Sequence, residues 1–202
     1  MKFGKIVALL LALAISPLSA RAEGKVAIGP QGGWTFPDFH VKDSTLSGLY
    51  KNKNGWMAGL FLEFGVWAVT LRPEINYVTK GYTVANVADV ENRYLEVPVL
   101  LKINPLSGFA VSPFLVVGPQ WTKQISDRVT PVAGVASYVN TATDWDISGV
   151  AGLGVDINFS QHLALQLQGR YSYGFRNVNT TNTEINERGF YAIGGLSVQD
   201  AF

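Results

Sequence analysis

Between Leu163 and Phe175 every second residue is apolar, aromatic or glycine: Leu163, Leu165, Leu167, Gly169, Tyr171, Tyr173 and Phe175. The residues between them, Ala164, Gln166, Gln168, Arg170, Ser172 and Gly174, are small or polar. A period of two predicts a β-strand with one greasy face and one wet face. The wet face is mostly uncharged, and the greasy run ends in aromatics. Those details favour lipid outside and a polar lumen inside, the wall of a transmembrane β-barrel, over a strand packed in a soluble core.

The same alternation recurs in eight segments separated by turn-rich stretches. They run Gly24–Phe36, Gly55–Phe64, Trp67–Tyr82, Arg93–Ile103, Ser112–Gln124, Trp145–Phe159, Leu163–Phe175 and Arg188–Phe202. The phase of the fifth is left open. Long polar gaps at 37–54, 83–92, 125–144 and 177–187 alternate with short ones at 65–66, 104–111 and 160–162. Long extracellular loops alternating with short periplasmic turns are the outer-membrane pattern. The expected fold is therefore all-β, an eight-stranded antiparallel up-and-down transmembrane barrel. Ten strands would leave too few residues for these loops.

Lys2 and Lys5 precede an unbroken apolar run, Ile6–Ile15, and then the small-x-small site Ala20-Arg21-Ala22. That reads as a signal peptide over 1–22, cleaved after Ala22, with the barrel domain over 23–202. The apolar run is too short to cross ~30 Å of hydrocarbon as a helix. Charged residues make up only 15% of the 202-residue chain while 48% is hydrophobic, as a lipid-facing wall requires. There is no cysteine, so no disulfide or thiolate metal site, and no residue pattern calls for a cofactor or metal. With net charge +1 and no basic stripe, nothing points to nucleic acid.

The opposite parity gives the lumen: Glu63, Arg72, Glu74, Glu96, Lys102, Asp146, Asp156, Arg170 and Arg176, with Asn76, Gln166 and Gln168 among them. Eight strands enclose a space that side chains just fill, and charges buried there must be paired. Turning the sixth and seventh segments about Gln161 sets Asp146 against Arg176, Asp156 against Gln166 and Arg170 against Gly152. A turn at Gly65-Val66 sets Arg72 against Gly59 and Glu74 against Met57. Each mid-barrel arginine then lies opposite a glycine and can reach across the lumen. The expectation is a plug of Arg72, Arg170 and Lys102 with Glu63, Glu74 and Glu96. Its functional alternatives are an ion path or a catalytic acid pair.

The stretches LRPEINYVTKGY (71–82), YLEVPVLLK (94–102), SPFLVVGP (112–119) and GVAGLGVDINF (149–159) resemble the PorT-like outer membrane β-barrel family. The resemblance implies an OmpX- or OmpA-sized eight-stranded barrel in the outer membrane, without an assigned activity in most members. One branch of the family is tied to type IX protein secretion.

Two other classes stay open at this level. A lipid-modifying enzyme needs a histidine with an acid and a hydroxyl; His40, expected in the first loop near Asp38, Asp43 and Ser44, has both nearby, whereas His162 sits in a periplasmic turn. A soluble lipocalin-like barrel would put Gln166, Gln168, Ser148, Gly152, Gly154 and Asn158 outside, a set too small and uncharged to cover a soluble surface. The loops carry Phe39, Leu46, Leu49, Tyr50, Val132, Val135 and Tyr138, which suit a lid or a binding surface. The final segment ends on Phe202, in phase with Val198 and Leu196, resembling the signal by which the outer-membrane assembly machinery recognises a closing strand. Expected partners are outer membrane lipids and lipopolysaccharide, that machinery, and proteins of a secretion system.

Overall fold

The computed structural model describes residues 24–41, 50–84, 88–131, 145–174 and 185–201. The segment 1–22 expected to be a signal peptide, Arg176 and Phe202 lie outside them. The elements are β1 (Gly24–Val41), β2 (Tyr50–Lys53), β3 (Gly55–Val66), β4 (Val69–Val84), β5 (Ala88–Ile103), β6 (Val111–Pro131), β7 (Trp145–Asn158), β8 (Leu163–Gly174) and β9 (Ile185–Ala201). β2 and β3 both pair with β4 and form one wall strand interrupted at Asn54. Lys53 pairs with Gly81 but Met57 pairs with Val78, so the interruption is a one-residue bulge. Every pairing is antiparallel, and β1 closes on β9 from Lys25↔Ala201 to Val41↔Ile185. The result is an eight-stranded barrel.

The stagger of this closure follows from the registers. From Val26 the paired residues run to Phe64, Leu71, Leu101, Val117, Ala151, Tyr171, Phe190 and then Phe36. One circuit returns to β1 ten residues further along, which tilts the strands about 40° from the barrel axis. All the residues on that circuit face outward.

The alternation sorts residues as the lipid environment demands. Outward positions include Ile28, Leu60, Leu71, Ile75, Leu115, Val117, Leu153, Leu167 and Leu196, all exposed. Exposed aromatics gather at two levels. Trp67, Phe109 and Phe159 lie at the short-turn end; Trp34, Phe36, Trp56, Tyr171, Tyr173 and Phe190 lie towards the long-loop end. Along β3, Trp56 and Trp67 are eleven residues apart. At ~3.3 Å per residue and this tilt they stand about 27 Å apart across the membrane, the height of an apolar band flanked by aromatic girdles. The fifth wall strand, β6, points Ser112, Phe114, Val116, Gln120 and Thr122 inward.

Two expectations are corrected. The β3–β4 turn is Trp67-Ala68, closed by Val66↔Val69, and not Gly65-Val66. Trp67 adopts φ 62°, a conformation unusual for a bulky residue. Its ring is 89% exposed at the lower girdle, where anchoring at the interface compensates the backbone cost. The register therefore moves by four: Arg72 falls opposite Glu63, between the pairs Phe61↔Glu74 and Phe64↔Leu71, rather than opposite Gly59. The β7–β8 register is the expected one, with Gly152↔Arg170 and Asp156↔Gln166. Strands also extend further than expected at the long-loop end. β1 reaches Val41, β5 begins at Ala88, β6 reaches Pro131 and β9 begins at Ile185. Beyond the membrane a backbone ladder needs no greasy face, so alternation fades while pairing continues. His40 accordingly lies on β1, paired with Asn186, and not in a loop.

Leu71→Arg and Val117→Arg should each destabilise the folded barrel by ~2–4 kcal/mol, because each puts a cation into mid-membrane hydrocarbon. Urea titration of folding into vesicles measures this; tolerance of both would mean that these positions do not face lipid.

Candidate functional site

The lumen is organised around Arg72, whose side chain is fully buried on β4. Its Nε donates to Glu74 Oε1 at 2.6 Å and its Nη1 to Glu63 Oε1 at 2.5 Å. The same Nη1 donates to Gln166 Oε1, and Nη2 donates to Gln31 Oε1 at 2.9 Å. The guanidinium lies 3.9 Å from the Phe61 ring centroid. Arg170 crosses from β8 and grips Glu74 with both terminal nitrogens, at 2.6 and 2.7 Å. Gly152 makes room for it: a Cβ there would stand 2.8 Å from Arg170 Cγ.

Lys102 extends the network towards the short-turn end. Its Nζ lies 3.0 Å from Glu63 and 2.8 Å from Asp156 Oδ2, and 4.4 Å from the Phe114 ring centroid. Asn104 donates to Asp156, and Gln31 donates to Glu74 and Asn76. Glu63, Glu74 and Asp156 thus balance Arg72, Lys102 and Arg170, held together from five wall strands. Buried charge is tolerable only when paired and hydrogen-bonded in this way.

Glu96 does not join that plug. It pairs across the wall with Asn76, one step nearer the long-loop end than Glu74, and its cation is Lys80 at 2.9 Å. Tyr191 Oη donates to it at 3.0 Å, and the rings of Tyr94 and Tyr191 lie 5.2 and 5.6 Å from Lys80 Nζ. Asp156, beside Lys102, is the third carboxylate of the plug in which Glu96 was expected. Asp146 is half-buried at the mouth, where its Oδ1 accepts the Ile147 N–H. The cavity it lines with Lys80, Gln120, Thr122, Ser148, Ser172 and Tyr191 measures about 10 Å³, room for one water molecule.

Much of the remaining interior is apolar. Met57, Val78, Tyr191 and Ile193 form one buried cluster, and Leu100, Phe114, Val116 and Val150 another. Sequence reasoning collected the polar residues of the inward parity and passed over these. It also passed over Lys80, which has the parity of Arg72 and Glu74, and over Gln31. Asn104, Tyr94 and Tyr191 were missed as well, and only the folded register brings them to the charges.

Val198 and Leu196 are about half exposed on the lipid face of β9. His162 is exposed in a short turn, where its backbone N–H donates to Ser160 Oγ. The side chains of Asp38 and His40, together with Asp43 and Ser44, lie outside the described residues, as do those of Phe39, Leu46, Leu49, Tyr50, Val132, Val135 and Tyr138. Among the described residues no cluster of three potential metal ligands occurs.

A family model described as outer membrane protein beta-barrel domain matches residues 6–196. The chain belongs to this family. It is similar in fold to OprG, an outer membrane protein of Pseudomonas aeruginosa, at 14% identity, with TM-score 0.60 over 89% of this chain and 97% of that one. Neisserial surface protein A gives 13% identity and TM-score 0.55, covering 86% and 96%. No curated protein matches the chain. The membrane crossed is therefore the outer membrane, and the long-loop end is extracellular in such barrels.

Glu74→Gln leaves Arg170 and Arg72 without their shared carboxylate in a dry lumen. This outer membrane barrel should lose ~3–5 kcal/mol of stability, read from unfolding in detergent or vesicles. Ser148→Ala, which removes a hydroxyl that has no hydrogen-bond partner, is the mild comparison.

Proposed function

We propose that this protein is a non-conducting outer membrane barrel that works as an anchor, presenting its extracellular strand ends to a partner. The observation that carries the reading is the continuation of the wall beyond the aromatic girdle. Among the described residues, β6 pairs with both neighbours only as far as Lys123, and Gln124–Pro131 pairs with β5 alone. β1 likewise pairs with β3 only up to Thr35, after which it pairs with β9 alone. Strand ends held rigidly outside the membrane suit recognition by another chain, and any edge left unpaired there offers backbone donors and acceptors to an incoming strand. The lumen supports the same reading, since among the described residues paired charges and apolar clusters crowd its middle.

The resemblance of 71–82 and 94–102 to PorT-like barrels supports an accessory role in protein secretion as the finer form of this reading. Affinity purification of the full chain from native outer membranes tests it. Stable recovery of secretion-system proteins is expected, whereas recovery of lipopolysaccharide alone would indicate a solitary structural barrel. A photo-crosslinking residue at position 128, on the β6 edge, should capture the partner, and one at position 153, facing lipid, should not. Equal yields from both positions would remove the edge-binding reading.

Planar-bilayer recording is the second test. Purified protein should show negligible conductance; a steady porin-like current would mean that the lumen charges line a channel.

A further inference from the structure

Asp156 and Asn104 meet at the short-turn end of the lumen, one on β7 and the other immediately after β5. Asn104 Nδ2 donates to Asp156 Oδ2 at 3.0 Å, and Lys102 Nζ lies 2.8 Å from the same oxygen. Both residues are buried, at 5% and 7% exposure. Each nevertheless keeps one buried oxygen without a hydrogen-bond partner, Asp156 Oδ1 and Asn104 Oδ1. Two acceptors are thus left over on a carboxyl and a carboxamide that already share one bond. A buried acceptor without a donor is costly, and two on joined groups call for one donor that serves both.

A proton is the smallest such donor. A protonated carboxyl donates through one oxygen and accepts through the other, and a carboxamide does the same through its N–H and C=O. With a proton on Asp156 Oδ1 the two groups close a ring of two hydrogen bonds. One is the observed bond from Asn104 Nδ2 to Asp156 Oδ2; the other runs from Asp156 Oδ1 to Asn104 Oδ1. A metal cation fits less well, since it needs about six oxygens and would sit beside the Lys102 ammonium. The neighbours on the flanking strands offer no alternative donor. Ser112 on β6 and Gln166 on β8 are paired with Asp156. The Ser112 hydroxyl is directed at the carbonyls of Leu106 and Phe109, and the Gln166 amide donates to Glu63. The charged groups around the pair are Lys102 from β5, Glu63 from β3 and Arg72 from β4. Lys102 Nζ also lies 3.0 Å from Glu63, which holds Arg72 as well, so Lys102 keeps an anion when Asp156 is neutral.

We propose that Asp156 and Asn104 are a proton-binding pair at the periplasmic end of the lumen, a switch in which acidification closes the ring between them and leaves Lys102 to Glu63. The proton comes from water at the short-turn end. Ionised, Asp156 completes the charge balance of the plug; protonated, it exchanges that charge for a second bond to Asn104. The pair lies at the opposite end of the barrel from the strand ends proposed to meet a partner, and it does not depend on that reading.

The test is infrared spectroscopy of the folded full chain in neutral maltoside micelles, titrated from about pH 8 to about pH 5. The C=O band of a protonated carboxyl should grow as the pH falls, and its Asp156-dependent part should be missing from Asp156→Asn. In Asn104→Leu, which removes the ring partner, that part should shift in frequency and appear only at lower pH. Asp156→Asn carries an N–H where the acid would carry its O–H, so it closes the same ring at every pH and should fold. A group that binds a proton more tightly in the folded state stabilises it as the pH falls. Relative to Asp156→Asn, the folding equilibrium of the wild type in urea should therefore rise about ten-fold between about pH 8 and about pH 5. Heat-modifiable mobility on gels shows which variants are folded, and Asn104→Ser serves if Asn104→Leu is not. The switch is overturned if no part of the band depends on Asp156, or if the band is the same in wild type and the folded Asn104 variant. Equal pH dependence of stability in wild type and Asp156→Asn also overturns it, and assigns the two oxygens to a neutral donor such as water.

Discussion

Inside hydrocarbon a backbone amide has only another backbone group to bond, and this requirement makes β1 close on β9. An open edge would leave a row of unsatisfied donors and acceptors at several kcal/mol each. Closure with a ten-residue stagger fixes the tilt and hence the width of the interior, which side chains must then fill. The filling proceeds by large residues set against glycines on facing or neighbouring strands. A Cβ on Gly154 would meet the Phe114 ring at 2.3 Å, and one on Gly29 would meet Phe61 at 2.8 Å. Arg170 uses Gly152 in the same way. The glycines that look like breaks in the strand pattern are sockets for the interior.

A lumen this narrow could be filled with hydrocarbon alone, and buried ion pairs are seldom more stable than well-packed apolar replacements. What the ions add is discrimination between registers. Slipping two neighbouring strands by two residues keeps every greasy side chain facing lipid, so the lipid face cannot detect it. Arg72 can, because its donors reach Glu63 on β3, Gln31 on β1 and Gln166 on β8 at once. Any even slip of those strands separates a buried cation from its carboxylate or amide. The network therefore acts on the one degree of freedom that the period-two pattern leaves undetermined.

The same division explains what could be read from the residues in advance. Strand identity, lipid face and lumen parity were legible because membrane burial imposes a period of two along each strand. The β7–β8 register was legible from its short turn. The β3–β4 register was not, because the turn uses Trp67 at positive φ where Gly65 offered the obvious candidate. The error was an even slip that left the lipid face unchanged. Glu96 was assigned to the plug for a related reason: parity tells which residues enter the lumen, but not at what height they meet. Lys80 reaches Glu96 diagonally from the neighbouring strand, where Asn76 is the paired residue, and Asp156 meets Lys102 from two strands away. The extensions to Val41 and Pro131 were hidden because outside the membrane the ladder persists without any apolar signature.

These features divide the molecule by height. In the middle Arg72, Lys102 and Arg170 are held by carboxylates, and Met57 and Phe114 are buried beside them. Opening such a lumen would separate these buried charges from the groups that pair them. The lipid-facing wall below the upper girdle is uniformly apolar and can distinguish only hydrocarbon from water. Chemical variety begins above Trp121 and Trp56, where the described ladder continues and charged residues such as Arg93 and Glu91 appear. A barrel built this way spends its buried interactions on holding one register, and in the anchor proposed above that rigidity would give the extracellular strand ends a fixed geometry.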